Sequence, residues 1–117
     1  MNFLIVILLL VIVIGCIYFF FIKKTESTNI KELYAEGLDM LVSGKRKAAY
    51  KNFKSIVEKD SNNIRAYIRL GQVLREGGKA AKAIKMHKNL LVRKDITNYE
   101  MIELYKNLTL DYYKIKN

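Results

Sequence analysis

Residues 64–97, IRAYIRLGQVLREGGKAAKAIKMHKNLLVRKDIT, repeat the pattern of residues 30–63, IKELYAEGLDMLVSGKRKAAYKNFKSIVEKDSNN. When Ile30 is aligned with Ile64, several glycines, alanines and lysines of the two stretches coincide, and we call this offset the repeat interval. The other coinciding pairs are Gly37 and Gly71, Gly44 and Gly78, Lys45 and Lys79, Ala49 and Ala83, Lys51 and Lys85, and Lys54 and Lys88. A fixed offset of this size is typical of a solenoid built from repeated supersecondary units.

Each of the two units is predicted to be a pair of helices joined by a tight turn. Apolar residues recur at helical spacing on both sides of Gly44 in the first unit and of Gly78 in the second. Glycine gives the backbone the freedom that such a turn needs. The small residues Gly37 and Gly71 would let the paired helices approach closely.

Residues 98–117 are predicted to form a further helix and tail that cap the second unit. Thr97 and Glu100 have the spacing of a capping box at the start of this helix. One apolar stripe is expected to cover the open end of the second unit, and it consists of Met101, Leu104, Tyr105, Leu108 and Tyr112. Three apolar residues lie off that stripe, and they are either exposed without consequence or contacts for a second copy or another protein. They are Ile102, Leu110 and Tyr113.

Residues 3–22 form an apolar run that contains no charged residue. Twenty residues at about 1.5 Å rise per residue span roughly 30 Å, the thickness of the hydrocarbon core of a bilayer. We therefore predict a transmembrane anchor in residues 1–22 and a short polar linker in residues 23–29. The segment Val13-Ile14-Gly15-Cys16 is similar to a bacterial lipobox, but six apolar residues follow it, which favours a spanning helix over a lipoprotein or a cleaved signal.

The charged residues indicate the orientation of the chain and the kind of surface it meets. Lys23 and Lys24 directly follow the apolar run, so the positive-inside rule places the C-terminal part in the cytoplasm. All 21 Lys and Arg and all 11 Asp and Glu follow the run, which leaves that part with the whole net charge of +10. This charge suits an anionic lipid leaflet or an acidic protein surface. The candidate contacts with lipid headgroups are Lys23, Lys24, Lys45, Arg46 and Lys47.

Residue types that carry catalysis or bind metals are rare in this sequence. It has one His, His87, and one Cys, Cys16, which lies in the apolar run. A zinc site needs several N or S ligands, and a Ser or Cys nucleophile would have to use His87 as its base. Because His87 stands at the position of Phe53 in the first unit, we expect it to pack between helices. We expect neither an enzyme nor a cofactor.

The two units resemble the tetratricopeptide repeat. Its bulky, Leu-Gly, turn-Gly, Ala, large and apolar positions are occupied in the second unit by Tyr67, Leu70-Gly71, Gly78, Ala83, His87 and Leu90. The first unit has Leu33, Gly37, Gly44, Ala49, Phe53 and Ile56, and it departs from the pattern with Glu36 in place of Leu. The resemblance implies a short solenoid of two helix pairs, residues 30–63 and 64–97. With the N-terminal transmembrane helix predicted from the apolar run and the capping helix, we expect an all-α chain.

In that family the first helix of each pair lines a concave groove that binds a polypeptide. The corresponding residues here are Tyr34, Leu38, Leu41, Arg65, Ile68, Arg69, Gln72 and Arg75. Arg65 and Arg69 are four positions apart, hence on one helical face, and the guanidinium fork suits carboxylates. The resemblance therefore implies a protein partner that presents an acidic or amphipathic segment.

A narrower resemblance is carried by residues 70–75, LGQVLR, by Gly78 and by residues 83–90, AIKMHKNL. These stretches are similar to the bacterial lipopolysaccharide assembly protein B family, whose members have one transmembrane helix and cytoplasmic tetratricopeptide repeats. The resemblance implies an adaptor at the bacterial inner membrane that regulates lipopolysaccharide assembly. The further repeats and the rubredoxin-like domain with paired Cys-x-x-Cys motifs of that family do not occur in these 117 residues.

Two other functions remain open from the sequence. The protein could be a small subunit whose transmembrane helix makes the main contact in a membrane complex. It could also be a basic accessory protein that binds nucleic acid, a hypothesis suggested by the net charge of +10. We regard nucleic acid as the weaker of these hypotheses.

Overall fold

A computed structural model describes residues 1–116, and within this range the chain forms five α-helices and no strand. The helices are α1 Asn2–Val42, α2 Arg46–Lys59, α3 Ile64–Glu76, α4 Ala80–Leu91 and α5 Asn98–Lys116. The prediction of an all-α fold is thereby confirmed. The chain also divides into two compact units, which are not the two repeats of the sequence. From here on, the first unit is Met1–Glu32 and the second unit is the one that begins at Leu33.

The first unit consists of the N-terminal part of α1. Over the part of the chain that the structure describes, α1 is the one helix long and apolar enough to cross a membrane. Its large apolar side chains, from Phe3 to Ile22, are all exposed. Monomeric soluble proteins rarely expose so large a continuous apolar surface, whereas the hydrocarbon core of a bilayer would cover it.

The polar segment of residues 23–29 is helical and continues α1 without a break. It contains neither Pro nor Gly, the residues that most often end a helix. The hydroxyls of Thr25 and Thr28 donate to the backbone carbonyls of Phe21 and Lys24, each at 3.0 Å, and so leave the helical pattern intact. The segment predicted as a linker is therefore part of a helix rather than an irregular connection.

In the second unit, the turn that ends the first helix of each pair occurs twice with the same geometry. Gly44 and Gly78 have φ angles of 76° and 86°, in the left-handed region that favours glycine. The amides of Lys45 and Lys79 donate to the carbonyls of Met40 and Leu74, at 2.8 Å in both cases. A glycine at this position with that hydrogen bond is a Schellman motif, which ends a helix and satisfies its last carbonyls.

The contact between paired helices also occurs twice. Gly37 lies against the ring of Phe53, and a Cβ added at Gly37 would come within 2.8 Å of that ring. Gly71 lies in the same way against the imidazole of His87, which a Cβ at Gly71 would overlap. The rings of both pairs are fully buried. The repeat found in the sequence is therefore also a repeat of three-dimensional contacts.

One apolar cluster in the core of the second unit consists of Ile64, Ile68, Leu90 and Leu104, from helices α3, α4 and α5. Helix α5 begins as predicted, because the amide of Glu100 donates to the hydroxyl of Thr97 at 3.2 Å. Its exposed apolar residues include the three predicted to lie off the apolar stripe, Ile102, Leu110 and Tyr113.

The buried face of α5 agrees with the predicted apolar stripe at Leu104 and Leu108 but not at its tyrosines. Its buried residues are Leu104, Asn107, Leu108 and Asp111. Tyr105 and Tyr112, which belong to the predicted stripe, are exposed. Polar side chains replace the tyrosines on the buried face because the neighbouring helices supply partners for them, as described below.

We predict that Gly71→Leu lowers the free energy of unfolding of the second unit by about 1–3 kcal/mol, because the new side chain would overlap His87. The measurement is denaturant unfolding of the full chain in detergent micelles. The control is Gly15→Leu, where an added Cβ meets nothing within 4 Å. Equal stability of the two variants would contradict the close contact between α3 and α4.

Candidate partner-binding groove

Four of the predicted groove residues line one surface depression in the second unit. Tyr34 comes from α1, and Arg65, Ile68 and Arg69 come from α3. Helix α5 contributes three residues that were not among the predicted site residues, and these are Tyr99, Glu100 and Glu103. We call these seven residues the arginine groove.

The two arginines of the groove are held differently. The guanidinium of Arg65 lies 5.0 Å from the centre of the Tyr99 ring, and Arg65 is otherwise exposed. The guanidinium of Arg69 donates to the hydroxyl of Tyr34 at 3.3 Å and to the side-chain oxygen of Gln72 at 2.8 Å. It also lies 3.8 Å from a carboxylate oxygen of Glu103. Arg69 is thus largely occupied within the chain, whereas Arg65 can receive a carboxylate from outside.

The acidic residues of α5 change the character of the groove. Glu100 and Glu103 stand opposite the arginines, so the groove carries both signs of charge. One carboxylate oxygen of Glu100, Oε2, is buried and has no hydrogen-bond partner among the described residues. A segment that combines a carboxylate with an apolar side chain would match this groove better than a purely acidic one.

The repeat in the sequence predicts two of the three α5 residues that line the groove. Tyr99 and Glu103 follow Arg65 and Arg69 by one repeat interval each, the offset that aligns Ile30 with Ile64. They therefore stand at the groove positions of a third first helix. Extending the offset through residue 97 into α5 would have placed them opposite the two arginines.

Three more predicted residues lie beside the arginine groove. Leu38, Leu41 and Gln72 line an adjacent hollow, which shares Arg69 with the groove. The hollow also includes Val42 and Glu76, and the amide of Gln72 donates to a carboxylate oxygen of Glu76 at 3.1 Å. The groove thus has an apolar extension formed by the end of α1.

Arg75 was predicted to line the groove, and this prediction is wrong. Arg75 is buried, and its guanidinium donates to Oδ1 of Asp111 at 2.8 Å and to the side chain and carbonyl of Asn107 at 3.2 and 3.3 Å. Arg75 follows Arg69 by six residues, and six residues do not make a whole number of helical turns. The side chains of Arg69 and Arg75 therefore project from different faces of α3. Arg75 therefore stabilises the fold and is not available to a partner.

His87 and Asp111 complete a buried polar cluster with Arg75. Nδ1 of His87 lies 2.5 Å from Oδ2 of Asp111, and Nε2 lies 3.1 Å from the carbonyl oxygen of Ile68. The side chains of His87 and Asp111 are fully buried. His87 thus packs between helices as expected, and the cluster joins α3, α4 and α5.

The residues predicted to contact lipid headgroups are all exposed. Lys45, Arg46 and Lys47 lie at the start of α2, and Lys23 and Lys24 lie in the first unit. Arg46 and Lys47 line a depression of the second unit that is separate from the arginine groove. The second unit therefore has two distinct surfaces with basic residues.

These features define an all-α chain with one candidate membrane-spanning helix and a repeated helix pair. No family model matches the sequence. Over 90 residues, or 77% of the chain, it is 24% identical to the lipopolysaccharide assembly protein B of Escherichia coli K12. The proteins of the same name from E. coli O6:H1 and O157:H7 give the same values. The match spans 23% of the length of each of these relatives.

We predict that Asp111→Ala lowers the free energy of unfolding by about 3–5 kcal/mol, because Arg75 would keep its buried charge without a carboxylate partner. Urea unfolding of the full chain in micelles measures the change. The matched control is Asp39→Ala, which removes an exposed carboxylate. If both variants lost the same small amount of stability, the buried cluster would not join the three helices.

Proposed function

We propose that this protein is a membrane-anchored adaptor of the tetratricopeptide-repeat type, which binds a segment of a partner protein in the arginine groove and takes part in lipopolysaccharide assembly. The observation that carries the proposal is the exposed arginine groove, formed by successive repeat units in a chain that also contains a candidate membrane-spanning helix. The anchor would hold the partner at the surface of the bacterial inner membrane.

The repeated contacts support the tetratricopeptide assignment. The Schellman turns at Gly44 and Gly78 and the ring contacts of Gly37 and Gly71 recur at the repeat interval. In such a solenoid each helix pair buries its apolar face against its neighbours, and the first helices share one surface. Tyr34 of α1, Arg65 of α3 and Tyr99 of α5 meet on such a surface.

The role in lipopolysaccharide assembly is supported by the similarity to the E. coli proteins over 77% of this chain. An orientation with the second unit in the cytoplasm is supported by Lys23 and Lys24, which follow the apolar run. A binding role rather than catalysis is supported by His87 and Asp111, which are fully buried and occupied with each other and with Arg75.

The groove also indicates the chemistry of the partner segment. Arg65 is exposed and would pair with a carboxylate of the partner. Leu38 and Leu41 offer an apolar surface beside Arg69. We therefore favour an amphipathic segment that carries at least one carboxylate.

We predict that Arg65→Glu reduces recovery of the partner about tenfold or more, because it replaces the charge that pairs with the partner's carboxylate. The measurement is quantitative mass spectrometry of proteins crosslinked to the full chain in native membranes. The matched control, Lys114→Glu, reverses a positive charge at an exposed position of α5 that lines neither this groove nor the depression at α2, and it should leave recovery unchanged. Equal recovery with both variants would remove the groove from the proposal.

Exchange of residues 3–22 for an unrelated membrane-spanning sequence distinguishes between two functions. The protein is either an adaptor or a small subunit that acts through its transmembrane helix. An adaptor keeps its crosslinked partner after the exchange, because the groove lies in the second unit. Loss of the partner would favour the subunit.

We predict that depletion of the protein changes the amount of lipopolysaccharide per cell, measured as lipid A by mass spectrometry in the bacterium that carries its gene. The Lys114→Glu protein should restore the normal amount, and the Arg65→Glu protein should not. An unchanged lipid A content after depletion would contradict the role in lipopolysaccharide assembly and would leave the groove experiment unaffected.

A further inference from the structure

Nearly all of the net charge of the protein lies on α2 and α4. Residues 45–59 contain six basic residues and one acidic residue, and residues 79–91 contain four basic residues and no acidic one. These two segments therefore carry a net charge of +9, out of +10 for the whole chain. The rest of the sequence, which includes the arginine groove, is close to electrical balance.

The basic side chains of α2 and α4 are not neutralised within the fold. The lysines of both helices are exposed. The ion pairs formed among residues 1–116 involve Arg69, Arg75 and His87, and they include no lysine. Such an excess of one charge costs electrostatic repulsion unless anions approach it.

The two helices form one basic surface rather than two separate ones. A groove between them is lined by basic residues of both helices together with apolar ones, and its lining includes no carboxylate. Its main residues are Arg46, Lys47, Tyr50, Lys79, Lys82 and Met86. We call it the lysine groove.

We propose that the lysine groove and the exposed lysines of α2 and α4 bind the anionic glycerophospholipids of the membrane that anchors the chain. This inference rests on the anchoring part of the proposed function and not on the partner or on lipopolysaccharide. Residues 23–32 join the apolar run to the second unit, so the lysines belong to a unit that is tethered to the membrane holding the anchor. Basic residues near an anionic leaflet are attracted to it, and this attraction acts only within about a Debye length, roughly 8 Å at physiological salt.

The residue types also favour a lipid surface over nucleic acid. Nine of the ten basic residues on these segments are lysines, whereas all three basic residues of α3 are arginines. Lysine acts as a mobile point charge that suits a fluid array of headgroups, while arginine suits fixed bidentate contacts. Tyr50 and Met86 add an apolar surface that can enter the interface between headgroups and acyl chains.

The test is lysine labelling of the full chain in lipid nanodiscs, with an amine-reactive reagent and detection by mass spectrometry. Nanodiscs of phosphatidylcholine alone are compared with nanodiscs that contain phosphatidylglycerol. We expect the anionic lipid to slow the labelling of Lys47, Lys82 and Lys85 by about fivefold or more, and salt at about 1 M to restore it. Lys106 and Lys114 of α5 are exposed internal controls that should react equally in both lipids.

The variant Lys82→Glu with Lys85→Glu should remove the protection of Lys47, and the control Lys106→Glu with Lys114→Glu should keep it. Circular dichroism would verify that both variants retain their helices. Equal labelling of Lys47 in the two lipids overturns the proposal. Protection of the same lysines by a random-sequence oligonucleotide in phosphatidylcholine nanodiscs, without protection by phosphatidylglycerol, overturns it in favour of nucleic acid. Failure of the chain to enter nanodiscs overturns the anchor on which this inference rests, whatever the groove experiment shows.

Discussion

The fold of the second unit depends on the close approach of paired helices at a glycine. Gly37 lies against Phe53 and Gly71 lies against His87, and in both cases a Cβ would occupy the space that the ring fills. A larger residue would separate the helices, and cores close-packed like organic crystals do not tolerate such a change without cost. Because the contact recurs at the repeat interval, Gly37 with Phe53 and Gly71 with His87 are equivalent contacts in the two helix pairs. This equivalence gives the first helices a common surface, on which Tyr34, Arg65 and Tyr99 meet.

His87 links this packing constraint to the polar interior. It fills the position that Phe53 has in the first pair, but its ring nitrogens need partners that a phenyl ring does not need. The carbonyl of Ile68 and the carboxylate of Asp111 supply them, and Asp111 in turn pairs with Arg75. Helix α5 is thus held by a buried polar cluster as well as by Leu104 and its apolar neighbours.

The repeated parts of the fold could be predicted from the sequence, as could the apolar part of α1 and the start of α5, whereas the buried polar cluster could not. The offset between the two sequence repeats predicts the turns at Gly44 and Gly78 and the buried position of His87. The polar part of the buried face of α5 was not predicted, because Asp111 is typical of a solvent-exposed position until its partners on α3 and α4 are known. For the site, Arg65 and Arg69 do line a depression shared by successive helices. Tyr99 and Glu103 were missed because the repeat was not extended beyond residue 97, and Glu100 has no counterpart among the predicted groove residues.

The two basic surfaces differ in the residues that form them. Arginines of α3 face a groove that already contains carboxylates and aromatic rings, and lysines of α2 and α4 cover a surface without acidic lining. One surface suits specific pairing and the other suits a diffuse anionic environment. An adaptor at a membrane needs both properties, since it must stay at the lipid surface and still leave its groove open to a partner.

The central claim is that the two helix pairs are equivalent, position by position, at the repeat interval. Nuclear Overhauser spectroscopy of the isotopically labelled full chain in micelles tests it most directly. The account predicts cross-peaks between the α-protons of Gly37 and the ring protons of Phe53, and between those of Gly71 and the ring protons of His87. If cross-peaks appeared for only one of these two glycine–ring contacts while both rings were assigned, the two helix pairs would not be equivalent. The shared groove surface would then have no structural basis.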